Sequence, residues 1–145
     1  MSYIDTSVIV AALDSMDPRQ KEALELLNEE RDKIVSEIVL AELARIIARR
    51  DDITSEIARK LDLSIEEPVF ATILYILRRF NLKYRNIEGE IRLPLLGKVH
   101  KHTATAIESA SRVKLKTLDI LHVSYVKLLK EEGEHIERLI TAERL

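Results

Sequence analysis

The chain contains no cysteine, and only 4% of its residues are aromatic. Without thiols there is no cysteine nucleophile, no disulfide framework and no cysteine-ligated zinc, so a metal would have to be held by oxygen or histidine. No apolar run approaches the roughly 20 residues of a membrane span, and the first residues are too polar and broken for a signal peptide. The expected location is the cytoplasm, with no membrane association. Charge of one sign is also missing: 23 Lys and Arg against 25 Asp and Glu give a net charge of −2. That excludes a global basic field, so any nucleic-acid contact must rely on a local patch. Scarce aromatics and a single Gln beside abundant Glu, Lys and Arg resemble thermophile usage.

What is present fits one ordinary globular domain spanning residues 1–145, with 46% hydrophobic residues and no repeat, linker or low-complexity tract. Tyr3-Ile4 reads as a short buried strand, and Val8 to Leu13 as a buried helical turn or two. Asp17-Pro18 is a helix start with Ala23, Leu24 and Leu27 on its apolar face, and the helix runs to about Glu30. Ile34-Val35 is a second strand, after which Ser36 caps a helix from Glu37 to Arg50 with Ile38, Val39, Ala41, Ile46 and Ile47 around it. Asp51-Asp52 read as a break, followed by a short helix from Ser55 to Leu61. Glu67-Pro68 opens a longer helix to Phe80, with Phe70, Ile73, Leu74 and Leu77 as its core stripe. Leu82 to Gly97 alternates apolar and charged residues, as a hairpin or as a strand plus a loop. A helix is expected over Lys98 to Arg112 with Val99, Ala106, Ile107 and Ala110 inward. Thr117 is read as the N-cap of a helix over Leu118 to Glu132, Gly133 as its stop, and Ile136 to Thr141 as the last strand. Strands separated by helices predict an α/β fold with a parallel sheet covered on both faces.

Four acids stand near the ends of these strands or open the helix before one. Asp5 follows the first strand, outside whose carboxyl end ligands collect in an open α/β sheet, although an acid there also suits a helix cap. Glu42 interrupts the apolar stretch Leu40-Ala41-Glu42-Leu43-Ala44, and its plain alternative is a surface stripe with Arg45 and Arg49. Asp119 lies in the first turn of a helix, where the dipole favours a carboxylate in any case. Glu143 follows the last strand. In a doubly wound sheet these places converge on one rim. Carboxylates so close repel unless a cation lies between them. A hard oxygen cage suits Mg²⁺ or Mn²⁺, and the matching chemistry is metal-assisted phosphodiester hydrolysis.

The blocks Tyr-Ile-Asp-Thr-Ser-Val, Ser-Glu-Ile-Val-Leu-Ala-Glu-Leu, Thr-Leu-Asp-Ile-Leu-His-Val and Leu-Ile-Thr-Ala-Glu-Arg-Leu occur in that order across nearly the whole chain. In order and spacing they resemble a PIN-domain ribonuclease, and within that family the VapC toxin of prokaryotic, here archaeal, toxin–antitoxin pairs. The resemblance implies a PIN-like three-layer α/β/α sandwich with a central parallel sheet and the first strand in its middle. It implies Asp5, Glu42 and Asp119 as the acidic triad and Glu143 at a fourth position usually filled by Asp, so that one or two Mg²⁺ or Mn²⁺ ions are held. Thr6 or Ser7 would support the Asp5 carboxylate or a metal-bound water. The implied activity is RNA cleavage, and the implied partners are a VapB-type antitoxin and a second copy of the chain.

Arg112, Lys114 and Lys116 precede Asp119 and could meet RNA phosphates, or simply form a solvated loop. Arg78, Arg79, Lys83 and Arg85 make a second basic cluster open to the same two explanations. His122 reads as a satisfied core histidine, and His100 and His102 as poor metal candidates. Two competing functions remain in view. One is a PIN domain without catalysis that serves as an RNA- or protein-binding module. The other is a phosphotransfer domain, which would need a second acid two residues after Asp5, where Ser7 stands, or an acidic pair at the first strand and a late lysine.

Overall fold

The computed structural model describes residues 1–61 and 68–145. Strand β1 (Ser2–Ile4) lies inside a four-stranded parallel sheet, between β2 (Lys33–Val35) and β6 (Arg138–Ile140), and β3 (Leu82–Tyr84) extends the sheet beyond β2. Successive side chains of a strand face opposite sides, and Tyr3 and Ile4 are both fully buried, so the central strand is covered on both faces. The helices are α1 (Thr6–Leu13), α2 (Gln20–Glu29), α3 (Glu37–Ile47), α4 (Asp51–Leu61), α5 (Pro68–Arg79), α6 (Lys101–Ala110) and α7 (Thr117–Glu131). One apolar core joins Tyr3, Ile4, Val8, Ile9, Ile34 and Val35 to Leu43, Ile76 and Leu129. Burial of such side chains at about 25 cal/mol per Å² is the main force holding the layers together. Lys33 is buried in β2 because its ammonium donates to the carbonyls of Leu27 (2.7 Å) and Glu30 (2.6 Å), closing the end of α2.

Several boundaries differ from the sequence expectation. Asp17 does not start α2 at Pro18: its carboxylate accepts from the Arg19 amide and guanidinium, which shapes a turn and delays the helix to Gln20. Asp51 and Asp52 open α4 rather than break a helix, since acids in a first turn are favoured by the dipole and Asp52 pairs with Arg50 at 2.9 Å. Within α3 the buried residues are Val39, Leu43 and Ile47, and Ala41 faces out. In α5 the inner face is Thr72, Ile73, Ile76 and Phe80, while Phe70 and Leu74 are exposed and Leu77 is half-buried. Glu67, expected to open this helix, lies outside the described residues.

Residues Leu82 to His100 contain both alternatives, a strand and a hairpin. β3 joins the main sheet, and β4 (Glu90–Leu93) pairs antiparallel with β5 (Gly97–His100) as a separate ribbon with Ile91 opposite Val99. The helix expected from Lys98 therefore begins only at Lys101. Alternation with period two wins over Lys98 to His100 because Leu95 and Gly97 adopt positive φ (67° and 85°), folding the chain back at a tip with Leu95 fully exposed. Helix α6 buries His102, Ala104 and Thr105, whereas Ile107 and Ala110 face outward. Helix α7 is preceded by Lys116, not Thr117, as its N-cap, and the last strand is trimmed to three residues.

Candidate metal centre

The site grows from the carboxyl end of β1. Asp5 occupies the N-cap position of α1, yet its side chain makes no capping bond. The helix-cap explanation for this acid therefore falls. Its Oδ2 accepts from the Ser7 hydroxyl, and its Oδ1 lies 3.2 Å from His122 Nε2. Ser7 in turn accepts from the backbone N–H of Ala142 at 3.0 Å, in the closing 3-10 turn Ala142–Arg144. The Asp5 amide donates to the Ile140 carbonyl at 3.0 Å, which ties the acid to the end of β6.

Glu42 comes from the middle of α3, one strand over. Its Oε2 accepts from the Thr6 hydroxyl and lies 2.9 Å from His122 Nε2. Among the described residues no ion pair joins it to Arg45 or Arg49, so the surface-stripe alternative is not the arrangement found. The two hydroxyls divide the labour: Ser7 supports Asp5, and Thr6 supports Glu42 rather than Asp5.

His122 is the residue that sequence reasoning undervalued. It is 3% exposed and fully satisfied, as a core histidine would be, but its partners are the two acids and Tyr3. The Tyr3 hydroxyl lies 2.7 Å from His122 Nδ1 and 2.6 Å from Ser36 Oγ. Burial pushes the Tyr3 phenol well above its ordinary range against the bond from Ser36, and the nearby charges of Asp5 and Glu42 add to the rise, so it stays protonated. A signal for His122 was available, because it stands one helical turn after Asp119 and shares its face of α7.

Ligand atoms of Asp5, Glu42 and His122 lie within 4.8 Å of one another. Asp119 and Glu143 are exposed and stand outside this close set, but both line the same cleft of about 660 Å³ as Asp5, Ser7 and His122. Arg138 and Arg144 also line it, beside the apolar Leu115, Val123 and Leu139. Of these arginines, Arg138 is engaged by Glu30 and by Ser2 Oγ (3.1 Å). The predicted Arg112, Lys114 and Lys116 are exposed and do not line the cleft. The donor set of two half-buried carboxylates and an imidazole, each oriented by a hydroxyl, fits a divalent cation.

Residues 2–143 match the model of the PIN domain. The chain belongs to the PIN-domain family. Its fold is the PIN fold, with a central parallel sheet of four strands flanked by helices. Among solved structures this PIN domain is similar to Mycobacterium tuberculosis VapC20, a sarcin-ricin-loop-cleaving toxin. The two share 15% identity over 97% of this chain and 88% of the other, with a TM-score of 0.61, a likeness of fold. It also matches VapBC2 from Rickettsia felis, bound to a DNA fragment from its promoter, at 20% identity over 86% of this chain and 78% of the other, with a TM-score of 0.48. No curated protein matches it. No helix among the described residues is long and apolar enough to cross a membrane.

Proposed function

We propose that this PIN domain is a Mg²⁺- or Mn²⁺-dependent endoribonuclease, the VapC-like toxin of a type II toxin–antitoxin pair. The observation that carries the reading is the meeting of Asp5, Glu42 and His122 within 4.8 Å at the end of the central strand, beside a cleft that Asp119 and Glu143 also line. When bound, a divalent cation would supply a more acidic water and stabilise the leaving oxygen of a phosphodiester. Asp5 and Glu42 would hold it, and Asp119 and Glu143, which line the same cleft as Asp5, would offer further carboxylates. Ser7 and Thr6 hold the two inner acids in place through their hydroxyls. Arg144, which lines the cleft, and the exposed Arg112, Lys114 and Lys116, which do not, would attract the RNA backbone through salt-sensitive contacts.

A cytoplasmic location and two partners belong to the same proposal: a VapB-type antitoxin and a second copy of the chain. Exposed Leu115, Leu118 and Val123 near Asp119 and the cleft give an antitoxin segment apolar surface to cover. The test is cleavage of a panel of RNAs by the purified chain with Mg²⁺ or Mn²⁺, with a chelator, and in Asp5→Asn. Cleavage that needs added metal and vanishes in the variant supports the reading; undiminished cleavage in a folded Asp5→Asn overturns it. One observation favours a non-catalytic binding module instead, namely the His122 nitrogen at hydrogen-bond distance from both acids, where its N–H could stand in for a cation. RNA binding without cleavage in any metal would select that module.

A further inference from the structure

In the proposed function the ion is held by the acids alone, yet the His122 Nε2 lies close to both inner carboxylates. Two cis ligands of an octahedral ion with bonds of about 2.1 Å are separated by about 3 Å. The Nε2–Oε2 and Nε2–Oδ1 separations of 2.9 and 3.2 Å match that edge as well as they match hydrogen bonds. The opposite nitrogen is already engaged, since Nδ1 faces the Tyr3 hydroxyl at 2.7 Å. Metal-bound imidazoles carry such a partner on the far nitrogen, which fixes the ring and its tautomer.

Hydrogen-bond directions support both states of the ring. Carboxylates only accept, so hydrogen bonds to Asp5 and Glu42 place a proton on Nε2, and in that neutral tautomer Nδ1 accepts from Tyr3. A ligating Nε2 needs the other tautomer, with Nδ1–H donating to the Tyr3 oxygen and the Tyr3 hydroxyl turning to Ser36 Oγ, 2.6 Å away. A hydroxyl can do either, whereas a carbonyl or carboxylate behind Nδ1 would allow only the second. The Tyr3–Ser36 pair is buried, with Tyr3 and Ser36 both at 0% exposure, so water does not compete for these bonds.

We propose that His122 ligates the divalent cation directly through Nε2, making the inner position Asp5–Glu42–His122, and that Tyr3 is its positioning residue. Imidazole suits Mn²⁺ and later transition metals better than Mg²⁺, for which carboxylates and water are the preferred ligands. The site is therefore biased towards Mn²⁺ over Mg²⁺. This inference rests on the metal-dependent reading above but is tested without RNA.

The experiment is Mn²⁺ titration of the full chain together with pulsed EPR of the bound ion. The expected result is a hyperfine coupling to a single imidazole nitrogen in the wild type. The coupling disappears in His122→Gln, whose Mn²⁺ affinity drops at least about tenfold more than its Mg²⁺ affinity. Tyr3→Phe keeps the imidazole and is expected to keep the coupling while weakening Mn²⁺ binding by roughly 10-fold. Bound Mn²⁺ without nitrogen coupling in the wild type overturns the ligand assignment and leaves the acidic metal site standing, as does an unchanged Mn²⁺-to-Mg²⁺ preference in folded His122→Gln. Failure of the wild type to bind either ion overturns both the ligand assignment and the metal-dependent reading.

Discussion

Helix α7 takes part in two assemblies of the same three chemistries, an imidazole, a phenol and carboxylate, and they are wired in opposite order. Around His122 the imidazole faces two acids, Asp5 and Glu42, and the phenol of Tyr3 stands behind it. Three residues further on, the phenol of Tyr125 donates to the Glu37 carboxylate, and the imidazole of His102 is stacked on the phenol ring at 4.8 Å. There His102 Nε2 remains 3.8 Å from Glu37, too far for a hydrogen bond, and a second histidine, His100, stacks behind it. The order decides the job. A nitrogen aimed at two carboxylates makes a place for a cation, whereas a phenol on one carboxylate with a ring packed on it makes a latch between α3, α6 and α7.

The comparison breaks most visibly at the acids. Asp5→Asn and Asp119→Asn are expected to lower RNA cleavage by about three orders of magnitude or more with the fold intact by circular dichroism, whereas Glu37→Gln in the second assembly leaves the rate within about twofold. A loss of activity in Glu37→Gln comparable to that in Asp5→Asn would erase the distinction. The next largest effect comes from the paired phenol substitutions. Tyr125→Phe is expected to cost about 1–2 kcal/mol in denaturant unfolding, because it removes a hydrogen bond to a charged acceptor, with Mn²⁺ affinity unchanged. Tyr3→Phe should cost a similar amount but also weaken Mn²⁺ binding, and only the double readout separates the two. Ser7→Ala removes the bonds to Asp5 and to the Ala142 amide, with an expected cost of about 1 kcal/mol and a several-fold fall in metal affinity; calorimetric titration checks both.

The smallest effect concerns pH. Burial, opposed by Glu37 and reinforced by His100, pushes the His102 imidazole below its ordinary value, so the folded protein holds it neutral. The unfolded chain then takes up a proton near pH 6.5 before the folded one does. Stability from this group is present above that value and is lost as pH falls through it towards the lower folded pKa. His102→Gln should therefore show a shallower loss of stability than the wild type on going from pH 7 to 5 in parallel denaturant titrations. An identical slope in both proteins would show that the second assembly does not keep its imidazole neutral.

The sequence disclosed the site unevenly, for physical reasons. Asp5 was legible because an acid directly after an apolar strand at the start of an α/β chain has few other places to go. Glu42 was legible because it interrupts an apolar helical run. Thr6 was visible as a hydroxyl but not as the partner of Glu42, since that contact depends on how α1 and α3 pack across the sheet. His122 was hidden because burial alone does not tell what satisfies a histidine, and Tyr3 was hidden because in a strand it counts only as an apolar residue. The fold was read well where one period held, as in α7. It was read poorly at Lys98 to His100, where a strand turns into a helix at His100 and residues of either period fit locally. The outward turn of Phe70 and Leu74 shows the same limit: several apolar residues at helical spacing define a stripe, but the neighbouring elements choose which edge of it is buried.

The Ser7 hydroxyl that joins Asp5 to the Ala142 amide spans 135 residues of sequence. Strand β1 has its β6 neighbour, and the backbone partners of Asp5 and Ser7, supplied by residues 138–142. Contacts of such separation form late, because the intervening chain must be ordered before they are gained. The candidate metal centre therefore closes only with the β1–β6 pairing, so a cation bound there would report that β6 has docked.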